Sequence, residues 1–517
     1  MYSGMNILNM KMRLFYWVVL STLWCYVACV SAGVTPIVIT ATFNPQPYAT
    51  SQQSNLPTPT PTLDVAQGVV PSTYVVQTGD TLLNIAQRFG LPLSSIIELN
   101  NLPNPNLLMV GQVINLPNIP VIDAPPVFLI SDELLPYRND FNVQSFLDTQ
   151  AGWLRTATDQ IELRQSDGSI IWETWYAHQI IEYYAQRFSV DPRILLTLVE
   201  LRSGGLTIPL PTDETKLYPL GNIDPDRSGL TKQFTWAYNE LNDGYYGWLY
   251  RGLKTATAMD TRYRIRFHPD NNAASIAVQH VTAQVVPYEI WMDEFASQKF
   301  KLIYEQFFGS MPSENSTINR PAEQPILELP FAPEETWYFT GGAHGGWGSG
   351  SEWAAIDLAP PDERMVGSSL CYVSQFPIRA VGDGVVAISD HGRMMIDLDH
   401  DGDIATGWTI LYLHVDTKSR LIEVGQSVRQ GDALGYASCE GGFSTATHLH
   451  IARLYNSEWI PADCGHCQTQ FDVPPMQWGQ WRVESLAGQE YQGFLSGRVT
   501  RLIAEQGRMF GVNDVTW

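Results

Sequence analysis

Short runs in which apolar and polar residues alternate mark the last third of the chain. These runs are broken by glycine and aspartate and include residues 381–386, 394–396 and 409–413. Because successive side chains of a strand point to opposite faces of a sheet, the pattern predicts strands with one buried face. We therefore predict an antiparallel β-rich domain over residues 334–474, followed by a β extension over residues 475–517.

The middle region, residues 140–309, instead carries apolar residues at helical spacing. The segment Trp172–Phe188 follows this period. Asp191 and Pro192 then predict the start of another helix, since aspartate is a frequent N-cap and proline is tolerated at the first helical position. We expect a mainly α domain in this region.

A small unit with the order strand–helix–helix–strand is predicted over residues 73–117. Tyr74-Val75-Val76 and residues 112–117 are the two expected strands. Asp80 precedes the first expected helix and Ser94 begins the second, each as a candidate N-cap. The unit spans fewer than fifty residues, so we expect a compact βααβ module.

Proline-containing segments separate these units. The predicted linkers are residues 33–72, 118–139 and 310–333. The first is rich in threonine, proline, glutamine and serine, a composition that cannot bury enough apolar surface to order itself. We expect it to be a tether that connects the N-terminal segment to the first folded unit.

Residues 1–32 have the pattern of a secretory signal peptide, with a basic start, an apolar middle and a small-residue exit. The apolar run approaches the length of a membrane span, so an uncleaved anchor is the alternative. Lipid attachment at Cys29 is a third hypothesis for this segment. In each case the rest of the chain faces the outside of the cell, where disulfides are permitted.

The acidic composition limits which partners the protein can bind and says little about its fold. The 517 residues suffice for about three domains, and the net charge is −22. Removal of the signal peptide would take away two basic residues and leave −24. We expect no nucleic-acid partner, because phosphate contacts need a basic face.

Seven of the ten histidines follow residue 340, and their spacing indicates a metal site. His448 and His450 are two positions apart, so on a strand they share one face. His344 lies in a glycine-rich stretch and Asp357 ends a short apolar one. Two histidines and a carboxylate would leave one tetrahedral position of Zn²⁺ open, as a catalytic zinc requires. His414 and His448 then remain as acid/base or oxyanion-stabilising groups.

The C-terminal third resembles the M23 metallopeptidases of the lysostaphin and β-lytic type, which cut peptidoglycan peptides. The resemblance rests on Gly342, His344, Asp357, Ala380–Val386, Leu411–His414, Val424–Gly431, Leu434–Tyr436 and Thr447–His450. It implies one catalytic Zn²⁺ held by His344, Asp357 and His450, with His414 and His448 as catalytic histidines. Many members place the aspartate four positions after the first histidine, whereas thirteen separate them here.

Residues 73–117 resemble the LysM module. The matching residues are Tyr74, Gly79–Leu82, Ile85-Ala86, Leu99–Leu102, Asn104-Pro105 and Gly111-Gln112. The resemblance implies binding of glycans that contain N-acetylglucosamine, such as peptidoglycan, without catalysis. The sugar-binding residues that it implies are Gly79, Asp80, Thr81, Asn101 and Asn104.

The helix predicted after Asp191 resembles the start of a lysozyme-like transglycosylase domain. In that family a catalytic glutamate directly precedes a serine at the end of the helix, but Arg202 stands there in this chain. Glu200 lies about 200° around the helix and cannot replace it. We therefore predict a degenerate, catalytically inactive domain that binds glycan, spaces its neighbours or covers the groove as a pro-segment.

Two smaller motifs lie within the predicted β domain. Asp397, Asp399, Asp401 and Asp403 alternate as in calcium-binding loops, although the twelfth position is a tryptophan and not the bidentate glutamate of an EF-hand. An acidic hairpin tip between strands and a Ca²⁺ site are the two interpretations of this motif.

Four cysteines lie outside the N-terminal segment and allow three pairings. We favour Cys371–Cys439 with Cys464–Cys467. A second zinc site or a redox motif at Cys464–Cys467 is the alternative, which an oxidising compartment disfavours.

Together these features predict a secreted, cell-wall-associated zinc metalloendopeptidase. It would hydrolyse peptide bonds in peptidoglycan stem peptides or cross-bridges and be targeted to the wall by its LysM module. Contact with a membrane would occur only through an uncleaved N-terminal segment. The alternative is a non-catalytic protein that binds peptidoglycan or regulates the wall.

Overall fold

The computed structural model describes residues 72–77, 80–89, 91–312, 320–321, 323–362, 369–468, 473–486 and 488–517. All of them belong to one compact unit, Leu63–Trp517. The predicted signal peptide and the first linker up to residue 71 lie outside the described residues, as does Gly79. Within the described residues, no helix has both the length and the hydropathy that a membrane crossing requires.

The first region has the predicted strand–helix–helix–strand order, but Pro92 and not Ser94 precedes its second helix as the N-cap. Its elements are β1 (Thr73–Val75), α1 (Leu82–Phe89), α2 (Leu93–Asn100) and β2 (Val113–Asn115). The two strands pair antiparallel, with Tyr74 opposite Ile114. Both side chains are buried with Ile85 and Ile96 in a small core of their own, so this module has its own hydrophobic interior.

The middle region contains most of the helices together with short strands. Its elements are β3 (Val121–Asp123), α3 (Val143–Asp148), β4 (Thr158–Arg164), β5 (Ile170–Tyr176), α4 (Ala177–Phe188), α5 (Pro192–Ser203), α6 (Asp213–Leu217), α7 (Leu230–Leu249), β6 (Thr255–Thr257), β7 (Arg264–Arg266), α8 (Ala273–Ala283), α9 (Tyr288–Ala296) and α10 (Lys299–Phe308). Asp191 caps α5 by accepting a hydrogen bond from the Arg193 amide (2.9 Å).

The prediction of one helix over Trp172–Phe188 is wrong in its first turn. Residues 170–176 form β5, which pairs antiparallel with β4, and the helix starts only at Ala177. The segment Ile-Ile-Trp-Glu-Thr-Trp-Tyr is rich in β-branched and aromatic residues, which favour strands. Pairing with β4 satisfies its backbone groups, an interaction that a local pattern does not reveal.

The C-terminal region is an antiparallel β structure, as predicted. Its strands are β8 (Trp337–His344), β9 (Ala355–Ala359), β10 (Pro377–Arg379), β11 (Gly384–Asp390), β12 (Arg393–Asp397), β13 (Trp408–Leu413), β14 (Ser427–Val428), β15 (Ala433–Tyr436), β16 (Leu449–Tyr455), β17 (Glu458–Trp459), β18 (Gln477–Trp478), β19 (Trp481–Leu486), β20 (Gln489–Ser496), β21 (Arg501–Ile503) and β22 (Asp514–Val515).

One large sheet organises this region. Its strand order is β14-β11-β12-β13-β16-β9-β8-β22, with β17 paired to β16. A second sheet, β18-β19-β20-β21, comes from residues 477–503. Trp478, Trp481 and Val483 of this second sheet are buried with Phe339 and Ile356 of the large sheet, so the two sheets share a core.

The other face of the large sheet packs against the helices of the middle region. Met395, Leu411 and Trp459 belong to the same hydrophobic cluster as the buried residues of α4, α5 and α7. The Trp459 amide donates to the Tyr246 hydroxyl (2.9 Å), and its indole N–H donates to the Phe188 carbonyl (3.1 Å). The helical region is therefore a packing layer of the β domain.

Packed residues extend into the segments predicted as linkers. Leu129 and Ile130 are buried in the helical core. Leu327 and Phe331 are buried in the core between the two sheets. Folded structure thus begins well before residues 140 and 334.

Both favoured disulfides are present. Cys371 and Cys439 are bonded across 68 residues, and Cys464 and Cys467 are bonded across three. The first bridge joins the segment before β10 to the loop after β15.

Candidate metal centre

Strand register brings two of the predicted metal ligands together. In the antiparallel pair β16–β9, His450 lies directly opposite Asp357. Residues opposite each other in such a pair project from the same face. His344 ends β8, whose pairing with β9 places it opposite Ala355. Three separate strands thus deliver His344, Asp357 and His450 to one point.

The three candidate ligand atoms lie within 3.3 Å of one another. His344 Nε2 is 2.9 Å from His450 Nδ1. Asp357 Oδ1 is 3.3 Å from each of these nitrogens. A tetrahedral ion with bonds of 2.0–2.1 Å separates its ligand atoms by about 3.4 Å, so the spacing fits a single small cation.

Hydrogen bonds of the outer ring nitrogens fix which lone pairs face inward. His344 Nδ1 is 2.7 Å from the Gly342 carbonyl oxygen, and His450 Nε2 is 3.0 Å from that of Gly346. Each outer nitrogen must carry the proton to donate, which leaves the inner nitrogen of a neutral ring as an acceptor. Two lone pairs and a carboxylate oxygen therefore converge, an arrangement that a cation stabilises.

Asp357 Oδ1 forms no hydrogen bond with any residue that the structure describes. Among the described residues this buried oxygen meets hydrogen-bond geometry with no donor, although three imidazole nitrogens lie 3.3–3.5 Å away. A buried carboxylate oxygen without a partner costs free energy unless a cation compensates it. The side chains present thus fit a divalent metal.

The electrostatics of the cluster separate the roles of its members. Burial by itself would raise the pKa of Asp357, but the imidazoles of His344 and His448 lower it well below its usual value. Burial would lower the pKa of His344, yet the Asp357 charge raises it. Burial lowers the pKa of His450. Asp357 is thus an anion at neutral pH, as a metal ligand must be.

His414 and His448 lie beside this cluster and face each other. Their ring centroids are 4.4 Å apart. His414 Nδ1 is 2.9 Å from the Glu440 carbonyl oxygen, and His448 Nδ1 is 2.8 Å from that of Ala446. In both rings Nε2 is therefore the nitrogen left for chemistry, and His448 Nε2 lies 3.5 Å from Asp357 Oδ1.

The pKa of His414 is depressed, which keeps this ring neutral. Burial is the main cause, and the neighbouring imidazoles of His448 and His450 add to it. His414 also has a positive φ of 68°, a conformation that is uncommon for a residue other than glycine. A neutral imidazole at neutral pH is able to accept a proton.

Tyr491 is a residue of the site that sequence reasoning missed. It lies on β20 of the C-terminal extension, and its ring stacks on His344 with centroids 4.2 Å apart. Its φ of 66° is also positive. The neighbouring Glu490 accepts a hydrogen bond from the Gly345 amide (3.2 Å). Backbone strain beside a buried imidazole was the signal, and it is visible only in the structure.

The four aspartates of the predicted calcium loop lie at the turn after β12. Asp397, Asp399 and Asp401 each place a carboxylate oxygen within 4.8 Å of the others. Asp397 is buried and accepts hydrogen bonds from the amides of Asp399 and Gly402. Burial and the neighbouring Asp397 raise the pKa of Asp399 to about 6. Asp403 accepts from the Ala405 amide, outside that group of three.

The predicted sugar-binding residues flank the two helices of the first region. Asp80 accepts hydrogen bonds from the Tyr74 hydroxyl and the Gln77 amide, each 2.7 Å, and so orders the turn before α1. Thr81 is exposed beside it. Asn101 ends α2 with a left-handed φ of 48°, and Asn104 accepts from the Asn106 amide. Gly79 lies outside the described residues.

In the middle region, Glu200 and Arg202 have structural partners. The Glu200 carboxylate accepts hydrogen bonds from the Leu206 amide (2.8 Å) and the Thr207 hydroxyl (2.6 Å). Arg202 forms an ion pair with Glu294. The Glu200 contacts stabilise the loop that follows α5, and the Arg202 ion pair joins α5 to α9. The catalytic inactivity of this domain stays a prediction.

Three family models match the chain. They are described as LysM domain over residues 74–117, LasA, N-terminal domain over residues 129–321, and Peptidase family M23 over residues 367–461. The M23 match includes His414, His448 and His450 but begins after His344 and Asp357. In the middle region the match is to the LasA N-terminal domain, and the lysozyme-like character stays a prediction.

Two named proteins are similar to this chain, one over most of its length and one over a short segment. Protease LasA from Pseudomonas aeruginosa (strain UCBPP-PA14) is 28% identical over 364 residues, which are 66% of this chain and 77% of that protein. N-acetylmuramoyl-L-alanine amidase XlyA from Bacillus subtilis (strain 168) is 38% identical over 63 residues, 12% of this chain and 21% of that protein.

A solved structure described as a novel M23 metalloprotease, pseudoalterin, from deep-sea shares 21% identity with a TM-score of 0.27. It covers 35% of this chain and 95% of its own.

Proposed function

Because residues 367–461 match the model of peptidase family M23 and residues 74–117 match that of the LysM domain, we propose that the chain is a secreted zinc metalloendopeptidase of peptidoglycan. It hydrolyses peptide bonds of stem peptides or cross-bridges. One observation carries the proposal: three strands bring together two inward lone pairs and Asp357 Oδ1, which forms no hydrogen bond within the described part of the chain.

His344, Asp357 and His450 are the residues that hold the zinc. When bound at such a site, zinc polarises a carbonyl and lowers the pKa of a water from about 15.7 towards 7. His344 and His450 contribute the nitrogens whose opposite ring positions are held by backbone carbonyls. Such outer hydrogen bonds orient ligand rings and maintain the tautomer that binds metal.

His414 and His448 perform the proton transfers. The depressed pKa of His414 supplies a neutral base at neutral pH, which accepts a proton from the attacking water. The same proton then goes to the leaving amine. His448 Nδ1 already donates to the Ala446 carbonyl, so His448 donates from Nε2 to the developing oxyanion in its imidazolium form.

The LysM module holds the enzyme on its polymer. Asp80, Thr81, Asn101 and Asn104, together with Gly79, form its sugar site, which binds N-acetylglucosamine units. An N-terminal signal peptide directs the chain to the outside of the cell. The two disulfides support this location, since they persist in oxidising compartments.

The middle region limits access to the site as a pro-segment. The tip of the β4–β5 hairpin pairs with the segment that carries Glu440: the Cys439 amide donates to the Ser166 carbonyl (3.2 Å) and the Gly441 amide to the Arg164 carbonyl (3.2 Å). Since the Glu440 carbonyl holds the His414 ring, this tip lies beside the proposed base.

Ca²⁺ is a further ligand that we propose, at Asp397, Asp399, Asp401 and Asp403. The raised pKa of Asp399 indicates mutual repulsion that a cation would relieve. A rise in melting temperature on addition of Ca²⁺ to the full chain is expected. Unchanged melting, or an equal rise in an Asp399→Asn variant, would argue for a plain acidic turn.

The second candidate function is a non-catalytic protein that binds the wall. The LysM match supports it, because that module alone suffices for binding. The two functions differ in their products. We expect the purified full chain to contain one zinc per molecule and to release free amines from purified peptidoglycan. A His450→Ala variant, which keeps the LysM module, is the matched control and should bind peptidoglycan without releasing amines.

Wall binding by the wild type without zinc and without amine release would favour the second function. The same assay on a chain cleaved before residue 330 tests whether the middle region restrains the enzyme.

A further inference from the structure

A cleft of about 800 Å³ lies between the helical region and the turn that joins β11 to β12. None of the five residues of the metal centre lines it. Its volume is typical of a ligand pocket. We propose that this cleft binds an uncharged amino-sugar chain, a second glycan site besides the LysM module.

An aromatic corner forms one wall of the cleft. Trp175 of β5, Tyr183 of α4 and His391 of the turn contact one another, with ring centroids 5.1–5.8 Å apart. The guanidinium of Arg187 lies 3.4 Å over the Tyr183 ring, so that face is already covered. Trp175 is therefore the ring available for the apolar C–H face of a sugar.

Amide side chains provide the polar contacts. Asn139, Asn142 and Gln144 line the side formed by the start of α3, and Gln179 and Gln186 line the side formed by α4. Gln186 is already bonded to Tyr137, Glu182 and Arg393, and the oxygens of Asn142 and Gln179 accept from the Ser145 and Tyr176 amides. Asn139, Gln144 and the side-chain NH₂ groups of Asn142 and Gln179 supply the donors and acceptors of the lining. Hydroxyl and acetamido groups of an amino sugar present the same mixture, so the lining matches this class of ligand.

Charge at the cleft is balanced by residues behind it. Asp140 pairs with Arg138 (2.5 Å) and Arg193 (2.6 Å). Asp390 pairs with Arg187 (3.2 Å) and Arg393 (3.0 Å). No lysine or arginine is among the described residues that line the cleft. The wall therefore lacks the free cations that a polyanionic chain would need.

The third carboxylate, Glu182, is held by neutral groups. It accepts hydrogen bonds from the Tyr137 hydroxyl (2.8 Å) and the Gln186 amide (2.9 Å). Burial raises its pKa. An uncharged polar ligand suits these surroundings better than a charged one.

The cleft adjoins the proposed base through the backbone. The Val415 amide donates to the Gly392 carbonyl (2.9 Å), so the turn that carries His391 is bonded to the residue after His414. His391 itself has a positive φ of 29°. A glycan strand held here would keep its peptide substituents near His414. That the sugar chain is peptidoglycan rests on the proposed function, whereas the presence of a glycan site does not.

Hydrogen–deuterium exchange of the full chain with N-acetylglucosamine hexamer tests the site without any peptidase activity. We expect slower exchange in peptides covering residues 139–144, 175–186 and 389–393, apart from any change in the LysM module. The Trp175→Ala variant should need about tenfold more hexamer for the same protection. The Gln144→Trp variant, whose new side chain fills the cleft from the opposite wall, should also lose the protection by the hexamer.

Trp172→Ala is the matched control, since this residue is 59% exposed and three positions from Trp175 on the same strand, so its side chain points to the other face. It should behave as the wild type. A variant enters the comparison only if its melting temperature equals that of the wild type. Protection confined to the LysM module, unchanged protection in both cleft variants, or equal protection by a heparin hexamer would overturn the proposal.

The outcomes separate the two proposals. Cleft protection of the full chain, with no amine release from peptidoglycan by either the full chain or the chain cleaved before residue 330, would refute the peptidase function and leave the glycan site standing. Amine release without cleft protection would refute the glycan site and leave the peptidase function standing.

Discussion

His450 and His414 are expected to fail differently when each is replaced by alanine. His450→Ala removes a metal ligand, so both bound zinc and amine release should disappear. His414→Ala removes only a proton acceptor, so zinc should stay while turnover falls about 10²–10⁴-fold. Metal analysis and amine release on the same preparations measure both. Full activity of the His414 variant would refute its role as the base.

Tyr491 should act through the packing of its ring on His344. Tyr491→Phe keeps the stacked ring, whereas Tyr491→Ala frees His344 to rotate. We therefore expect the alanine variant to lose zinc to a chelator faster than the wild type. The phenylalanine variant is the control and should retain zinc as the wild type does. Equal loss from both variants would point to the hydroxyl instead of the ring.

At the scale of elements, helices α7 and α8 are joined by a buried charged cluster. His280 Nε2 lies 3.2 Å from Glu240 and 3.3 Å from Asp243, and Arg251 pairs with the other Asp243 oxygen. Burial would lower the pKa of His280, but the hydrogen bonds and charges of the two carboxylates raise it from 6.5 to about 9.

This cluster predicts a loss of stability at alkaline pH. A raised pKa in the folded state stabilises the protein fully below the unfolded value of 6.5, and the contribution is lost as the pH rises to about 9. The shift corresponds to roughly 3 kcal/mol. Urea unfolding between pH 6 and 9.5 measures it, and a His280→Gln variant should show a flatter dependence. A parallel decline in both proteins would assign the effect to other groups.

The tip of the β4–β5 hairpin should restrain the full-length enzyme. Gly168 has a positive φ of 82°, and a Cβ there would lie 2.9 Å from Cys371 Sγ. Gly168→Val should push the tip away from residues 439–441 and raise amine release by the full chain. Asp167→Ala changes the same tip without a clash and is the control. Unchanged activity of Gly168→Val would mean that the tip does not cover the site.

At the scale of the whole molecule, the helices and the large sheet should unfold together. Met395, Leu411 and Trp459 of the sheet are buried in the helical core. Removal of residues before 330 exposes this apolar face to water, which costs free energy. We expect the fragment 330–517 to melt at a lower temperature than the full chain, by calorimetry. Two separate transitions in the full chain would contradict a shared core.

Much of this organisation was accessible from the sequence, because it rests on local patterns. The βααβ module, the antiparallel β region and both disulfides were predicted. Period-two spacing places His448 and His450 on one face. In the structure His448 Nε2 and His450 Nδ1 both face Asp357 Oδ1. A two-residue repeat fixes which face a side chain occupies, whatever strand lies beside it.

Only the tertiary structure decided which strands meet. The register that sets His450 opposite Asp357 and the position of Tyr491 over His344 depend on pairings between distant segments. The same holds for Trp172–Tyr176, where pairing with β4 overrode a helical spacing. Periodicity shows that a face is buried, but it does not identify the partner, because that choice depends on packing across the whole chain.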